Sequence, residues 1–534
     1  MPFGTDDQIS NESPNPTFQE VLARRLSRRG ILTGGLVTAG LGLAGPLARP
    51  RRARAQASEL LGFRGIPPSR ADSVVVAPGY TAEVLYAWGD PISNGPAFRA
   101  DASNSWEEQA VQAGMHHDGL HYFPLPAGSA SSNQGLLAIN HEYTDDGLLH
   151  PGGMEPWTAE KVRKAQAAHG VSVIEVRASG GRWEVVRPSS YARRVTGYTP
   201  IGASGPAAGH ELLQTALDPT GRTILGTLNN CAHGYTPWGT YLTCEENFNA
   251  YFVNRSGSVP PRERRYGITD RGFGYRWHDH DERFDAARHP NELNRFGWVV
   301  EIDPYEPFRA PVKHTALGRF KHEGAWVTLA RDGRAVAYMG DDERFEYIFK
   351  FVSREPHRPG SRDANRAILE HGTLYVARFD ADGTGEWIEL VHGRNGLDGG
   401  AGFRSQADVV VNARGAGDVV KATKMDRPEW IAVPPRTGEA YCALTNNSRR
   451  GAEKMPGPDA ANPRPTNDFG HIVRWRERGG DPAATRFEWD VFILAGDPAH
   501  AEPGKRGNIR GDLFGSPDGL WFDERGVLWI QTDV

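Results

Sequence analysis

Apolar runs along most of this chain are short, and they are separated by turns rather than sustained at helical spacing. Four pieces repeat one form, DPTGRTILGTL, RDGRAVAYMGD, PRTGEAYCALTNN and DERGVLWIQTD, each an Asp- or Gly-bearing turn followed by an apolar strand. They predict successive hairpins rather than a βαβ alternation. Long helical periodicity is scarce. The clearest case is WTAEKVRKAQAAHG, which predicts a helix opening at Thr158 and stopping at Gly170. In EAYCALTNN, Ala440, Cys442 and Leu444 share one strand face, so Cys442 reads as a small buried hydrophobe.

The hairpin copies are irregular, and long Gly-, Pro- and Asn-rich connections between them carry the unusual polar clusters. That combination predicts an all-β protein, a β-propeller with functional loops around a central channel. A pair of β-sandwiches is the structural alternative. No low-complexity linker divides the chain, so residues 58–534 read as one domain. The sequence stops at WIQTDV, within a predicted strand, and the expectation is that the last part of the propeller is missing.

The N-terminus changes the picture of where the protein works. Arg28 and Arg29 precede an apolar, glycine-interrupted run to Leu47, followed by RARAQA with small residues suited to signal peptidase. Residues 1–57 are therefore read as a twin-arginine signal peptide rather than a permanent membrane anchor, which implies the twin-arginine export machinery as a partner and a periplasmic or extracellular location. That route carries folded proteins, so a cofactor inserted before export becomes a reasonable expectation. The segment holds eight arginines and four acids, so its removal takes the net charge from -5 to about -9. Nucleic acid and anionic membrane are poor partners for such a chain.

Three cysteines, Cys231, Cys244 and Cys442, exclude a disulfide framework. Two of them lie in CAHGYTPWGTYLTCEE, with Glu245 and Glu246 at its end. Thiolate and carboxylate donors around a Pro-Trp-Gly turn suit a metal site, against the alternative of buried structural cysteines and solvent-facing glutamates. Other stretches have a similar character: FKHEGAW with His322 and Glu323, MDRPEW with Arg427 and Glu429, INHEYTDDG with His141 and Glu142, and SPDGLWFDERG with Asp518 and Asp523. A glutamate among apolar residues is costly to bury unless paired or coordinated. The Arg427 guanidinium has the fork geometry that grips phosphate or carboxylate, with an ion pair to Glu429 as the plain alternative. WHDHDERFD reads as a solvated loop. No nucleophile elbow, P-loop or dinucleotide fingerprint is present, which counts against serine hydrolase, nucleotide and flavin or nicotinamide readings.

Taken together and in order, GYTAEVLYAWGDP, MHHDGLHYFPL, INHEYTDDG, GPAAGHELL, NNCAHGYTPWGTYLTCEENFNAYF, GRFKHEGAW, YMGDDERFEYIFKF, MDRPEW, ALTNNSRR and PDGLWFDERGVLWIQTD resemble the PhoX family of alkaline phosphatases. The resemblance implies a six-bladed propeller that releases phosphate from small-molecule phosphate esters, and the chain is expected to act as a monomer. It also implies two ferric ions and several calcium ions around an oxo bridge. It makes Cys231 a thiolate ligand of iron and Glu245, Glu246, Glu323, Glu429 and Asp518 metal ligands. Arg427 is the implied phosphate-binding residue, and His210 in GPAAGHELL falls near a phosphate contact. Two other readings stand beside it, a non-catalytic calcium-stabilised binding propeller and a phytase- or lactonase-like calcium enzyme; the latter gives Cys231 no role.

Overall fold

The computed structural model describes residues 61–69 and 71–533, so the expected signal peptide lies outside the described residues. The first sheet is an antiparallel meander of β1 (His117–Pro124), β2 (Gln134–His141), β3 (Gly170–Ser179) and β4 (Arg182–Val185), with β5 (Arg193–Val195) also paired to β3. In the second, β6 (Pro200–Ser204) and β7 (Thr223–Leu225) extend a meander of β8 (Asn230–Tyr235), β9 (Tyr241–Glu245), β10 (Val299–Ile302) and β11 (Val312–His314). The third meander is β12 (His322–Leu329), β13 (Arg334–Asp341), β14 (Ile348–Pro356) and β15 (Gly372–Phe379). Strand β16 (Thr384–Glu389) bridges it to a fourth, β17 (Pro428–Ala432), β18 (Glu439–Leu444), β19 (His471–Glu477) and β20 (Arg486–Leu494). A hairpin of β21 (Pro517–Phe522) and β22 (Leu528–Thr532) follows.

These units stack face to face in chain order, because each sheet is apolar on both faces and must bury both. Phe123, Leu136 and Val173 of the first unit pack on Ile201, Tyr241 and Val300 of the second. Leu242, Cys244 and Val299 on the opposite face of the second meet Ala325, Ala337 and Phe349 of the third. Val336 and Ile348 then meet Cys442, Val473 and Trp475, and Tyr441, Ala443 and Ile472 meet Leu520, Phe522 and Leu528. The initial strands β1, β8, β12, β17 and β21 lie next to one another in that order and surround the centre. This is a propeller-like arrangement of blades. Among the described residues it comprises four four-stranded meanders and one hairpin, against the six blades expected.

Three of the four repeated turn pieces form the hairpins β12–β13, β17–β18 and β21–β22, and the fourth leads into β7, which pairs with β6. The helix is Ala159–Ala168, capped by Thr158, whose side chain accepts from Lys161 N, and Gly170 beyond it has φ +99°. Cys442 and Cys244 are both fully buried strand residues. WHDHDERFD differs from the solvated loop expected: Trp277 and Phe284 anchor it in an aromatic core with Tyr251 and Phe252. Among the described residues no helix is long and apolar enough to cross a membrane.

Candidate metal centre

One local arrangement recurs at the same end of all five blades. The first residue of each initial strand pairs with the last residue of the second strand: His117 with His141, Asn230 with Glu245, His322 with Asp341, Pro428 with Leu444, Pro517 with Thr532. The register then slips, between His117 and Leu120, Asn230 and His233, Pro428 and Ile431, and Pro517 and Leu520, and one pair later in the third blade, between Glu323 and Trp326. A bulge leaves a residue unpaired and re-aims its side chain. The second residue of each initial strand lies within or at the edge of that slip, and these residues are Asp118, Cys231, Glu323, Glu429 and Asp518.

A second ring is built by the residue that follows the second strand of each blade. Its N–H donates to the carbonyl just before the initial strand: Glu142 to His116 (3.0 Å), Glu246 to Asn229 (3.0 Å), Asp342 to Lys321 (3.0 Å), Thr445 to Arg427 (3.1 Å) and Asp533 to Ser516 (3.0 Å). Four of the accepting residues are left-handed without being glycine, with φ of 46° at His116, 49° at Asn229, 57° at Arg427 and 46° at Ser516. Such strain persists where the surrounding structure over-determines it, and it clusters at working sites.

The two rings converge. Ligand atoms of Asp118, Glu142 and Cys231 lie within 4.8 Å of one another, as do those of Cys231, Glu246 and Glu323, and those of Glu323, Glu429 and Asp518. The Cys231 sulfur lies 3.0 Å from Asp118 Oδ2 and 3.3 Å from Glu323 Oε1, within reach of either for its single S–H. Burial, with like charge added, raises the pKa of Glu142 and Glu323 well above the carboxylate range, helped by Asp118 and Glu246 respectively. Burial and Asp342 do the same to Glu246 and Glu429, and burial with Asp118 lifts Asp518 to about 7. The Cys231 thiol is also pushed up, by burial and by Asp118.

Few positive charges offset this crowd. Arg427 donates to Asp342 Oδ1 at 2.9 Å and Oδ2 at 2.8 Å and to Glu429 Oε1 at 3.2 Å. Lys321 Nζ lies 2.9 Å from Glu343 Oε2 and favours the Glu246 carboxylate at longer range. Asp518 Oδ1 is buried with no hydrogen-bond partner among the described residues. So many buried carboxylates with so little compensation must take up either protons or cations. Oxygen donors joined by one thiolate suit multivalent cations, so the residues present fit a bound metal cluster.

The structure brings together Cys231, Glu246, Glu323, Glu429, Asp518 and Arg427 from the expected set. It does not bring Glu245 or His210 to them. Glu245 ends β9 on the face opposite Glu246, where Oε1 accepts from Lys313 Nζ at 2.6 Å and Oε2 accepts from Gly297 N and Trp298 N at 3.0 Å each. Its charge is thereby satisfied away from the rings. His210 caps a short 3-10 turn, its Nδ1 accepting from Leu212 N at 3.3 Å, with Nε2 3.3 Å from Ser405 Oγ. Sequence reasoning missed Asp118 and Asp342 and noted Glu142 only as part of an acidic loop. The recurring acid–glycine step was the available signal, present at Asp118–Gly119, Glu323–Gly324 and Asp518–Gly519.

A thiol and a crowd of carboxylates beside an arginine fork, brought together by the blade ends of a propeller, form a candidate centre for a metal-dependent enzyme. Residues 61–534 match the model of alkaline phosphatase PhoX, and the chain belongs to that family. Among solved structures it is similar to Pseudomonas fluorescens PhoX in complex with vanadate, a transition state analogue, with 51% identity and a TM-score of 0.85 over 89% of this chain and 84% of that one. A search of curated proteins found no match. The chain is a metal-dependent phosphomonoesterase.

Proposed function

We propose that this phosphatase works at the double ring, with Arg427 holding the substrate phosphate. Asp118, Glu142, Cys231, Glu246, Glu323, Asp342, Glu429 and Asp518 would hold two ferric ions and several calcium ions. When bound, such cations supply Lewis-acid charge to phosphoryl oxygens and lower the pKa of water. The observation that carries the reading is the fivefold repetition that delivers these side chains, from five blades, to one place.

The chain's own residues do the positioning. Arg427 begins its blade in a left-handed conformation, φ 57°, and is clamped by Asp342 from the neighbouring blade and Glu429 from its own. Those carboxylates keep the guanidinium charged at any working pH and fix its plane before substrate arrives. Its Nη1 is the less engaged nitrogen, 3.8 Å from Asp533 Oδ2, and is free to reach a phosphoryl oxygen. The strained backbone at the ring holds the donors in place, so little reorganisation accompanies the reaction.

Hydrolysis of a chromogenic phosphate monoester by the metal-loaded protein tests this, compared with Arg427→Ala and Cys231→Ala. Both variants are expected to lose at least about a hundredfold in kcat/KM. Equal activity in all three would remove the assigned site. A calcium-only propeller enzyme gives Cys231 no role, so the Cys231 arm also separates that reading. For cellular location, we infer export by the twin-arginine route from Arg28 and Arg29. Replacing both with lysine should leave the enzyme in the cytoplasm, and unimpaired export would contradict the inference.

A further inference from the structure

The second ring repeats one backbone arrangement five times but changes its chemistry once. Glu142, Glu246, Asp342 and Asp533 carry carboxylates, whereas the fourth blade places Thr445 at the same position with the same N–H bond, to Arg427 O. Thr445 is fully buried, and its Oγ1 has no hydrogen-bond partner among the described residues. Buried hydroxyls are nearly always paired, so an orphan at this ring position calls for a partner, and a ligand atom at the ring would complete the bond. The exception falls on the blade that also carries Arg427, the group that binds an anion. A carboxylate there would repel a phosphate dianion, while a hydroxyl can donate to it.

We propose that Thr445 Oγ1–H donates to a phosphoryl oxygen of the substrate, making the fourth blade the side of the ring on which the phosphate sits. This rests on the reading of Arg427 as the phosphate-holding residue. Its test uses metal-loaded wild type, Thr445→Val, Thr445→Ser and Arg427→Ala. For each, kcat, KM, the inhibition constant of orthovanadate and metal per chain by elemental analysis are measured. Valine keeps the shape and removes only the hydroxyl. Thr445→Val is expected to bind vanadate about tenfold more weakly and to lose about ten- to a hundredfold in kcat/KM, with metal per chain unchanged. Thr445→Ser should recover to within about threefold of wild type. Unchanged vanadate affinity in Thr445→Val beside an inactive Arg427→Ala would overturn this inference alone. Loss of metal from Thr445→Val would make the hydroxyl a cation ligand and equally overturn it. Full activity in Arg427→Ala would overturn the underlying site reading and this inference with it.

Discussion

The adjacent glutamates Glu245 and Glu246 provide the sharpest contrast, because substituting each should damage a different property. Glu245 and Lys313 are both 0% exposed, and the carboxylate also serves the N–H groups of Gly297 and Trp298. Glu245→Ala leaves an ammonium and two amides without their acceptor. Breaking a buried ion pair costs about 3–5 kcal/mol, and each orphaned amide about 1–3. The lysine has an escape: burial already lowers its pKa to about 8, and shedding its proton at pH 7 limits the charge penalty to about 5 kcal/mol relative to its ordinary pKa. At about 2 cal/mol/K per residue, the unfolding entropy of a chain of this length is about 1 kcal/mol/K, so a loss of about 5 kcal/mol, the low end of the summed ion-pair and amide costs, lowers Tm by about 5 °C. The assay is thermal unfolding in chelator, paired with elemental analysis after metal loading. Chelated Glu245→Ala should melt about 5 °C below chelated wild type yet bind its full metal complement when folded. Chelated Glu246→Ala should be no less stable than chelated wild type, since it removes an acid whose burial is uncompensated, but should lose metal. Metal loss from Glu245→Ala at unchanged Tm would instead place Glu245 among the metal ligands.

Three other outcomes follow from the same geometry. Burial and mutual repulsion raise the pKa of Glu142, Glu246, Glu323, Glu429 and Asp518, so the metal-free folded state holds more protons than the unfolded chain from about pH 4.5 upward. Metal-free stability therefore falls as pH rises, and the Tm gap between loaded and chelated protein should widen from pH 5 to pH 8; a narrowing gap contradicts this. Burial lowers His169 to about 4, while its ring nitrogens lie 2.6 Å from Ala165 O and 2.8 Å from Tyr251 Oη. The unfolded chain protonates first as pH falls below 6.5, so up to about 3 kcal/mol of stability is lost between pH 6.5 and 4. In urea titrations His169→Gln should flatten that slope, and an unchanged slope argues against it. His210→Ala should lose about 1 kcal/mol of stability as a capping group, with kcat within about threefold of wild type; a tenfold fall in kcat would tie His210 to the chemistry.

The hairpins were legible because their turns carry Asp and Gly at fixed offsets from an apolar run, and Cys442 because its strand face alternates cleanly with period two. The candidate metal centre was legible at Cys231, Glu246, Glu323, Glu429 and Asp518, each within a distinctive stretch, and not at Asp118 or Asp342. The fivefold repeat itself was hidden, since the residues bearing its accepting carbonyls are His116, Asn229, Lys321, Arg427 and Ser516, which share backbone position and no chemistry. Connections of unequal length between blades also remove any fixed period. The roles of Glu245 and Glu246 required the strand's end: the last residue of β9 faces one core and the next one turns into the ring. Lys313, the partner that satisfies Glu245, lies in β11 and leaves no mark near the glutamate in sequence.

Phosphatase activity should depend on metals held by the converging thiol and carboxylates. The most direct measurement of this is elemental analysis with a visible spectrum, on wild type purified after export and on Cys231→Ala, alongside their phosphatase activity. Iron and calcium in the wild type, with a thiolate-to-iron charge-transfer band that disappears together with activity in the variant, is the predicted result. An active wild type without iron, or a Cys231→Ala protein that keeps both band and activity, would contradict it.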